Sequence, residues 1–367
     1  MNNKQFEISL GNLLTNQNFS IDGLFKNKKS VIIFGSGSSG NHAYQFLREH
    51  YPEIAIKYFI DSDIKKHGSY LHDIEIVSVD AIKADDTVLI ASDYAIDIAI
   101  TLKCNNINDY FYFGFCDDYN RWKGHFDSKY ILNSREDILK ISELLADDES
   151  RQIFYSLIAF RCSLDPLKLK VSSFPEYLHP NVLPRTNDVI VDGGGYIGDS
   201  AQLFFDFLAK QAKIFSFECD STNYKLLERL SENYNGKLIP VFKALWSEET
   251  NLKFVTNNNH YESRISFLDS PNTFLVEAVT IDKWFKEPIN FIKLDVEGAE
   301  MHVIEGASET LRSGMSGLRL AVSAYHLPDD LWKIPQRLKD LNRNIDIYMG
   351  HHSQKFMASV CYAALPD

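Results

Sequence analysis

VIVDGGGYIGDS, residues 189–200, decides how this chain folds. Val189 to Val191 is a short β-branched run, the signature of a buried strand. An acid, Asp192, closes it, and Gly193, Gly194 and Gly195 follow. After Gly198 a helical pattern begins, with Asp199 and Ser200 placed either to cap it or to touch a ligand. A strand, a glycine turn and a helix make a βα unit, and without Cβ atoms in the turn a ligand can lie on the backbone. Asp192 narrows the choice of ligand. A carboxylate at the strand end repels a pyrophosphate and attracts a cation. The turn therefore favours the sulfonium and α-amino group of S-adenosylmethionine over a dinucleotide.

The βα alternation continues downstream. Strands are expected at 213–217, 238–242, 290–294 and 319–323, with a helix at 329–340. Two last strands, 345–350 and 357–363, are joined by a short polar segment and should pair antiparallel. A parallel sheet closed by an antiparallel hairpin is the architecture of S-adenosylmethionine-dependent methyltransferases. Ligands of open α/β sheets sit at the carboxyl ends of the strands, and the candidates are found there. Glu218 ends the second strand, where it can accept hydrogen bonds from both ribose hydroxyls. Ala244 and Trp246 follow the third and could border an adenine. Asp295 ends the fourth, with Glu297 and Glu300 close behind. Carboxylates gathered so tightly repel one another unless a cation or a donor hydroxyl is present. Tyr325 and His326 close the fifth strand and His351 the sixth. Between strands, the polar and aromatic stretch 256–268 is a candidate acceptor loop, with Tyr261 and Arg264 as contacts.

Upstream lies a second glycine turn. The apolar run VIIF (31–34) leads into Gly35-Ser36-Gly37-Ser38-Ser39-Gly40 and then a helix, and Asp61 follows at the end of the next strand. That is the context of a nucleotide-binding fingerprint, with amides at the helix start for a phosphate and Asp61 for a ribose. Gly35, Ser36, Gly37, Ser39, Gly40 and Asp61 are the candidate contacts. Tyr94 and Lys103 lack the Tyr-xxx-Lys spacing of a hydride-transfer pair, so a nucleotide sugar is favoured over NAD. The expected fold class is α/β, with two Rossmann-like doubly wound domains. The first spans 1–120, a helical connector 121–170, and the second domain 171–367.

Bulk properties set limits. The chain has 367 residues, 45% of them hydrophobic, and a net charge of −12. Such acidity argues against a nucleic-acid partner. Five scattered cysteines without CxxC spacing read as free thiols of a reducing cytoplasm, not as a zinc site. No apolar run approaches the ~20 residues of a membrane span.

Residues 171–367 resemble the FkbM family of S-adenosylmethionine-dependent O-methyltransferases. The resemblance is carried by VDGGGYIGDS, FECD, IKLDVEGAEMHVIEGA, AVSAYHLPDDLWKIP and IYMGHHS, with EYLHPNVLPRTND ahead of the first strand. LDVEGAE is the most specific of these. Gly195 stands where the family more often has alanine. The resemblance implies methyl transfer from S-adenosylmethionine to a hydroxyl, often on a sugar or polyketide. On this reading Asp192, Gly193, Gly194, Gly195, Gly198, Asp199, Ser200, Glu218, Ala244 and Asp295 hold the cofactor. His326, whose ordinary pKa suits a general base, would act with Asp295 and Glu297, while Tyr325, His351, Tyr261 and Arg264 would meet the acceptor. Some sugar methyltransferases of related fold use Mg²⁺, so Asp295 and Glu297 are alternatively a metal site. The acceptor is expected to be a sugar hydroxyl of a surface polysaccharide or of its nucleotide-sugar precursor. The first domain would recruit that acceptor or assist a homodimer. The competing readings are an NAD-dependent oxidoreductase and a nucleotide-sugar-binding scaffold, both built on the first domain.

Overall fold

The computed structural model describes residues 1–15, 20–255, the backbone of 264–265, 273–314 and 316–367. The chain forms two compact units. One comprises 1–143, 148–172 and 351–358; the other comprises 144–147, 173–350 and 359–367.

The first unit is built on one sheet. Its strands are β1 (Ser30–Phe34), β2 (Ala55–Ile60), β3 (Tyr70–Leu71), β4 (Ile74–Val77), β5 (Val88–Ile90) and β6 (Tyr110–Tyr112). They lie in the order β3-β4-β2-β1-β5-β6. All pairings are parallel except β3 with β4. Val31 to Phe34 are all buried, as expected of a parallel strand covered on both faces. The order turns about β1, whose neighbours are β2 and β5, and this leaves a crevice at their carboxyl ends.

Most of the helical stretch 121–170 belongs to this unit. Its longest helix, Asp148–Ser163, buries Ile153, Phe154, Leu157 and Phe160, and Phe154 stacks on Phe6 with ring centroids 5.7 Å apart. Residues 351–358 also belong here. The helix Ala95–Cys104 has Tyr94 at its N-cap and no capping bond from that side chain. Gln354 supplies the missing acceptor, its Oε1 taking the Ile96 and Asp97 amides at 3.0 and 3.2 Å. Lys355 pairs with Asp93 at 2.7 Å. Phe356 packs edge-on against Trp122 and Phe126.

The second unit has a seven-stranded sheet and a smaller one. In chain order the strands are β7 (Val189–Gly193), β8 (Lys213–Phe217), β9 (Leu238–Val241), β10 (Ala244–Leu245), β11 (Thr250–Val255), β12 (Arg264–Ile265) and β13 (Thr273–Val279). Then come β14 (Phe291–Leu294), β15 (Arg319–Ser323), β16 (Asp346–His351) and β17 (Ser359–Ala364). The large sheet runs β16-β17-β15-β14-β7-β8-β9. From β15 to β9 it is parallel, and β17 is antiparallel to β15. The strands expected from the sequence are all present.

The small sheet, β10-β13-β11-β12, was not expected. Its strands alternate buried and exposed residues. Leu252, Phe254, Val276 and Ala278 face a small core with Trp246 and Ala299. Tyr261 and the Arg264 side chain, named above as acceptor contacts, lie outside the described residues. Among the described residues no helix is long and apolar enough to cross a membrane, and the five cysteines form no disulfide.

Candidate functional site

A cleft of about 240 Å³ opens at the carboxyl ends of β7, β8 and β14. Gly194, Tyr196, Asp199, Ser200, Glu218 and Ala244 line it, as the sequence suggested, and so do Asp295 and Glu297. Gly194 is the position where glycine is required. Its φ is +76°, and a Cβ there would lie 1.8 Å from the Asp295 carbonyl oxygen. The turn and the strand end of β14 are thus in backbone contact, with the Asp295 amide bonding the Gly193 carbonyl at 3.0 Å.

Asp192 is not a ligand contact. It is 0% exposed, and it does not line the cleft. Its carboxylate accepts from Ser200 Oγ at 2.9 Å and Ser216 Oγ at 2.7 Å, and Lys293 Nζ lies 3.1 Å away. The charge that seemed to select the ligand instead holds the turn. Lys293, unremarked in the sequence, completes the clamp by donating to the carbonyls of Gly193 at 3.2 Å and Gly194 at 2.7 Å. Burial works against its charge, but Asp192 and Asp295 outweigh burial and keep the ammonium pKa above its ordinary value. Nor does a side chain cap the next helix. Gly198 is its N-cap, and Ser200 is committed to Asp192.

Glu218 ends β8 as expected. Its Oε2 accepts the Tyr196 amide at 2.8 Å and its Oε1 the Asp220 amide at 2.6 Å. Each oxygen keeps a lone pair, the arrangement that receives a vicinal diol. Cys219, Asn223, Lys243, Leu245 and Phe254 complete the far wall. Trp246 does not; it stacks on His302 at 3.7 Å.

At the other end is the acidic cluster. Asp295 accepts from Tyr177 Oη at 3.1 Å and Tyr325 Oη at 3.3 Å. Tyr177 precedes the first strand of its sheet and was missed, since only the folded chain brings it to the end of β14. His326 is 2% exposed and sits behind the cleft, whose lining includes Asp295 and Glu297 but not the imidazole. Its Nδ1 is 2.8 Å from Glu300 Oε1. Its Nε2 is 3.5 Å from Asp295 Oδ1 and 3.7 Å from Glu297 Oε2. Burial would lower the pKa of His326, but Glu300, Glu297 and Asp295 raise it to about 10. With no other cation present it holds a proton at neutral pH, so it is a poor general base. Burial would raise Asp295, yet His326 and Lys293 hold it below the usual range. Asp295 is therefore ionised in the cleft. Glu300, close behind Asp295 in the sequence, is buried and orients the imidazole. His351 is fully buried in the first unit and does not line the cleft. Burial drives its pKa down to about 3, so it is neutral.

Three comparisons bear on this arrangement. Residues 192–344 match the methyltransferase FkbM domain. The chain carries an FkbM methyltransferase domain. The glycine turn, Glu218 and the β14 cluster all fall inside it, while Tyr177 lies just ahead of it. The hexuronic acid methyltransferase AglP of Haloferax volcanii is 26% identical over 178 residues, 45% of this chain and 70% of that protein. The crystal structure of methyltransferase FkbM from Methylobacillus flagellatus is 18% identical, covers 98% of both chains and superposes with a TM-score of 0.73. At that identity the likeness speaks for the fold. Residues 27–111 match a second family, C2185-like, N-terminal.

The first unit has its own cleft, about 1000 Å³, at the carboxyl ends of β1 and β2 and the start of the helix Ser38–His50. Gly35, Ser36, Gly37, Ser39 and Asp61 line it. Gly35 is required by the fold, since a Cβ would lie 2.1 Å from the Ala91 carbonyl oxygen, and Gly40 packs on Gly35 in the same way. Gly37 differs. Its φ is −88°, open to any residue, and a Cβ would meet nothing within 4 Å. Packing does not explain its small size, while its place as the helix N-cap is one that glycine fills readily. Asp61 departs from expectation. Ser36 donates to it through Oγ and through the amide, and Lys66 Nζ lies 2.6 Å away. Burial alone would raise its pKa, but Lys66 and Ser36 bring it to about 2. Its carboxylate is engaged by the protein, so the cleft presents Lys66 and serine hydroxyls more than a free acid.

Proposed function

We propose that the chain is an S-adenosylmethionine-dependent O-methyltransferase acting on a sugar hydroxyl. The observation that carries this is Glu218, whose carboxylate is held by the Tyr196 and Asp220 amides and faces the cleft beside the glycine turn. The cleft fits the donor. Gly194, Tyr196, Asp199 and Ser200 border the space for the amino-acid part, Glu218 receives the ribose diol, and Ala244, Leu245, Asn223 and Phe254 the adenine. When bound, the donor supplies an activated methyl group on sulfur.

The chain's own residues then have two tasks. They align the acceptor oxygen behind the methyl group, and they take its proton. Asp295 is the group placed for the second task. An alcohol is a weak acid, but its oxygen becomes strongly acidic as the new C–O bond forms. A carboxylate within about 3 Å suffices at that stage. Tyr177 and Tyr325 hold the Asp295 carboxylate in orientation. The relative AglP bears the name of a hexuronic acid methyltransferase, which favours a hexuronate or a related sugar as acceptor.

For the first unit we propose a nucleotide-sugar site at the serine–glycine turn, on the strength of the open space at Gly37. Gly37→Asp should abolish binding of a UDP-sugar in calorimetry, and thermal unfolding should move by no more than about 0.5 kcal/mol, because the site is open. UDP-sugar binding unchanged in that variant would remove the proposal.

The principal test is calorimetric titration with S-adenosylmethionine and S-adenosylhomocysteine. The parent chain should bind at micromolar concentration, and Glu218→Ala should lose about 2–3 kcal/mol of affinity with the loss of both diol bonds. A screen of hexuronates and UDP-hexuronic acids should then yield a methyl ether. Absence of donor binding in the parent would overturn the reading.

A further inference from the structure

His326 Nε2 is an unusual atom. It is buried and has no hydrogen-bond partner, although two carboxylates face it. Asp295 Oδ1 at 3.5 Å and Glu297 Oε2 at 3.7 Å are both too far for a hydrogen bond. A protonated Nε2 in that position would be expected to draw in one oxygen to about 2.8 Å. The Asp295 separation instead matches two donors on one ion. With metal–ligand bonds of about 2.0–2.2 Å, neighbouring donor atoms stand roughly 3.0–3.6 Å apart, and the Glu297 oxygen stands just beyond that range.

The other side of the ring supports this. Glu300 Oε1 binds Nδ1 at 2.8 Å and also accepts the Val296 amide at 2.9 Å. A proton fixed on Nδ1 leaves the Nε2 lone pair free and aimed at Asp295 and Glu297. A carboxylate behind an imidazole that faces outward is the support a histidine metal ligand requires. The far side is open, because the Asp295 and Glu297 side chains are 26% and 27% exposed and line the cleft. A bound ion would keep coordination positions free for an oxygen of the acceptor.

We propose that the cluster of His326, Asp295 and Glu300, whose ligand atoms all lie within 4.8 Å of one another, binds one divalent first-row transition-metal ion at the acceptor end of the cleft, through His326 Nε2 and Asp295, with Glu300 orienting the imidazole and Glu297 at the rim. The nitrogen donor decides the class of ion. An imidazole with a carboxylate suits Mn²⁺ or Zn²⁺, whereas Mg²⁺ prefers oxygen alone and retains its water. The Mg²⁺ raised as an alternative from the sequence therefore gives way to a softer ion. A dication also answers the repulsion among the gathered carboxylates. The role of the ion rests on the methyltransferase reading, since a hydroxyl held there would lose its proton more readily, but the binding itself does not.

The test uses the full chain stripped with chelator, titrated with Mn²⁺ and followed by electron paramagnetic resonance. One Mn²⁺ per chain should bind, with Zn²⁺ displacing it and Mg²⁺ failing to do so at equal concentration. His326→Ala should abolish the site. Glu300→Gln, nearly isosteric and so a safeguard against misfolding, should weaken Mn²⁺ by roughly 10–100-fold. Circular dichroism would confirm that both variants are folded. No Mn²⁺ bound to the parent, or binding undiminished in folded His326→Ala, overturns the proposal. S-adenosylmethionine titrated into the same metal-free sample separates the two readings. Donor binding without Mn²⁺ binding leaves the methyltransferase reading standing and sinks the metal site, and the reverse result does the opposite.

Discussion

Lys293→Met is expected to lower the stability of the chain by about 3–5 kcal/mol. Methionine keeps the length and the packing of the lysine stem but removes the ammonium. Asp192, 0% exposed, would then be a buried charge with only the Ser200 and Ser216 hydroxyls to satisfy it. The Gly193 and Gly194 carbonyls would lose a donor in the same step. Urea unfolding measures the loss. Asp192→Asn added to Lys293→Met should recover a substantial part of it, because the damage comes from breaking the pair and not from lacking it. Lys293→Met as stable as the parent would show that the ion pair does not hold the turn. Donor affinity is a separate readout, and it should fall in the single variant even where the fold survives.

A second large effect is expected in the pH dependence of donor binding. Burial raises Glu218 to about 7, although the Asp220 and Tyr196 amides pull the other way. Below that pH the carboxyl holds a proton and offers the ribose diol one acceptor fewer. The donor favours the ionised form, so affinity should climb with pH and level off above about 7. Between pH 7.5 and 5.5 the decline should be roughly 20-fold. Glu218→Gln should bind weakly and with a flat profile. A profile unchanged in that variant would assign the titration elsewhere, with Glu176, also raised to about 7 by burial and by Asp295, the next group to replace. The sign for stability is opposite. In the donor-free chain an acid with a raised pKa destabilises the fold as pH increases from its ordinary value near 4.5 toward 7. Donor and fold therefore place opposing demands on one carboxyl.

The architecture was legible because parallel strands buried on both faces leave continuous apolar runs, such as VIIF (31–34) and VIV (189–191), separated by glycine turns. Glu218 and Asp295 were legible because they are acids at the ends of such runs. Asp192 has the same signature and a different job. The difference is set by Lys293, which β14 places beside it as its Cα partner, a pairing that belongs to the sheet and has no mark in the linear order. His326 and Glu300 were each visible, but their bond spans 26 residues, and with it the histidine changes from a free base to an oriented group. The small sheet was hidden for a different reason. Thr250–Val255 and Thr273–Val279 are half-buried, and their polar residues resemble a loop until the two strands pair.

The Gln354 cap has a consequence for the order of events on the ribosome. The helix that it caps and the residue that caps it are separated by 258 positions. At ordinary elongation rates the first sheet leaves the ribosome on the order of 10–50 s before Gln354, Lys355 and Phe356 are made. For that interval the N-terminal part is a nascent domain with an uncapped helix and an unfilled aromatic core around Trp122 and Phe126. Its maturation waits for the last part of translation, so a chaperone bound co-translationally would find its client there, although that part is synthesised first.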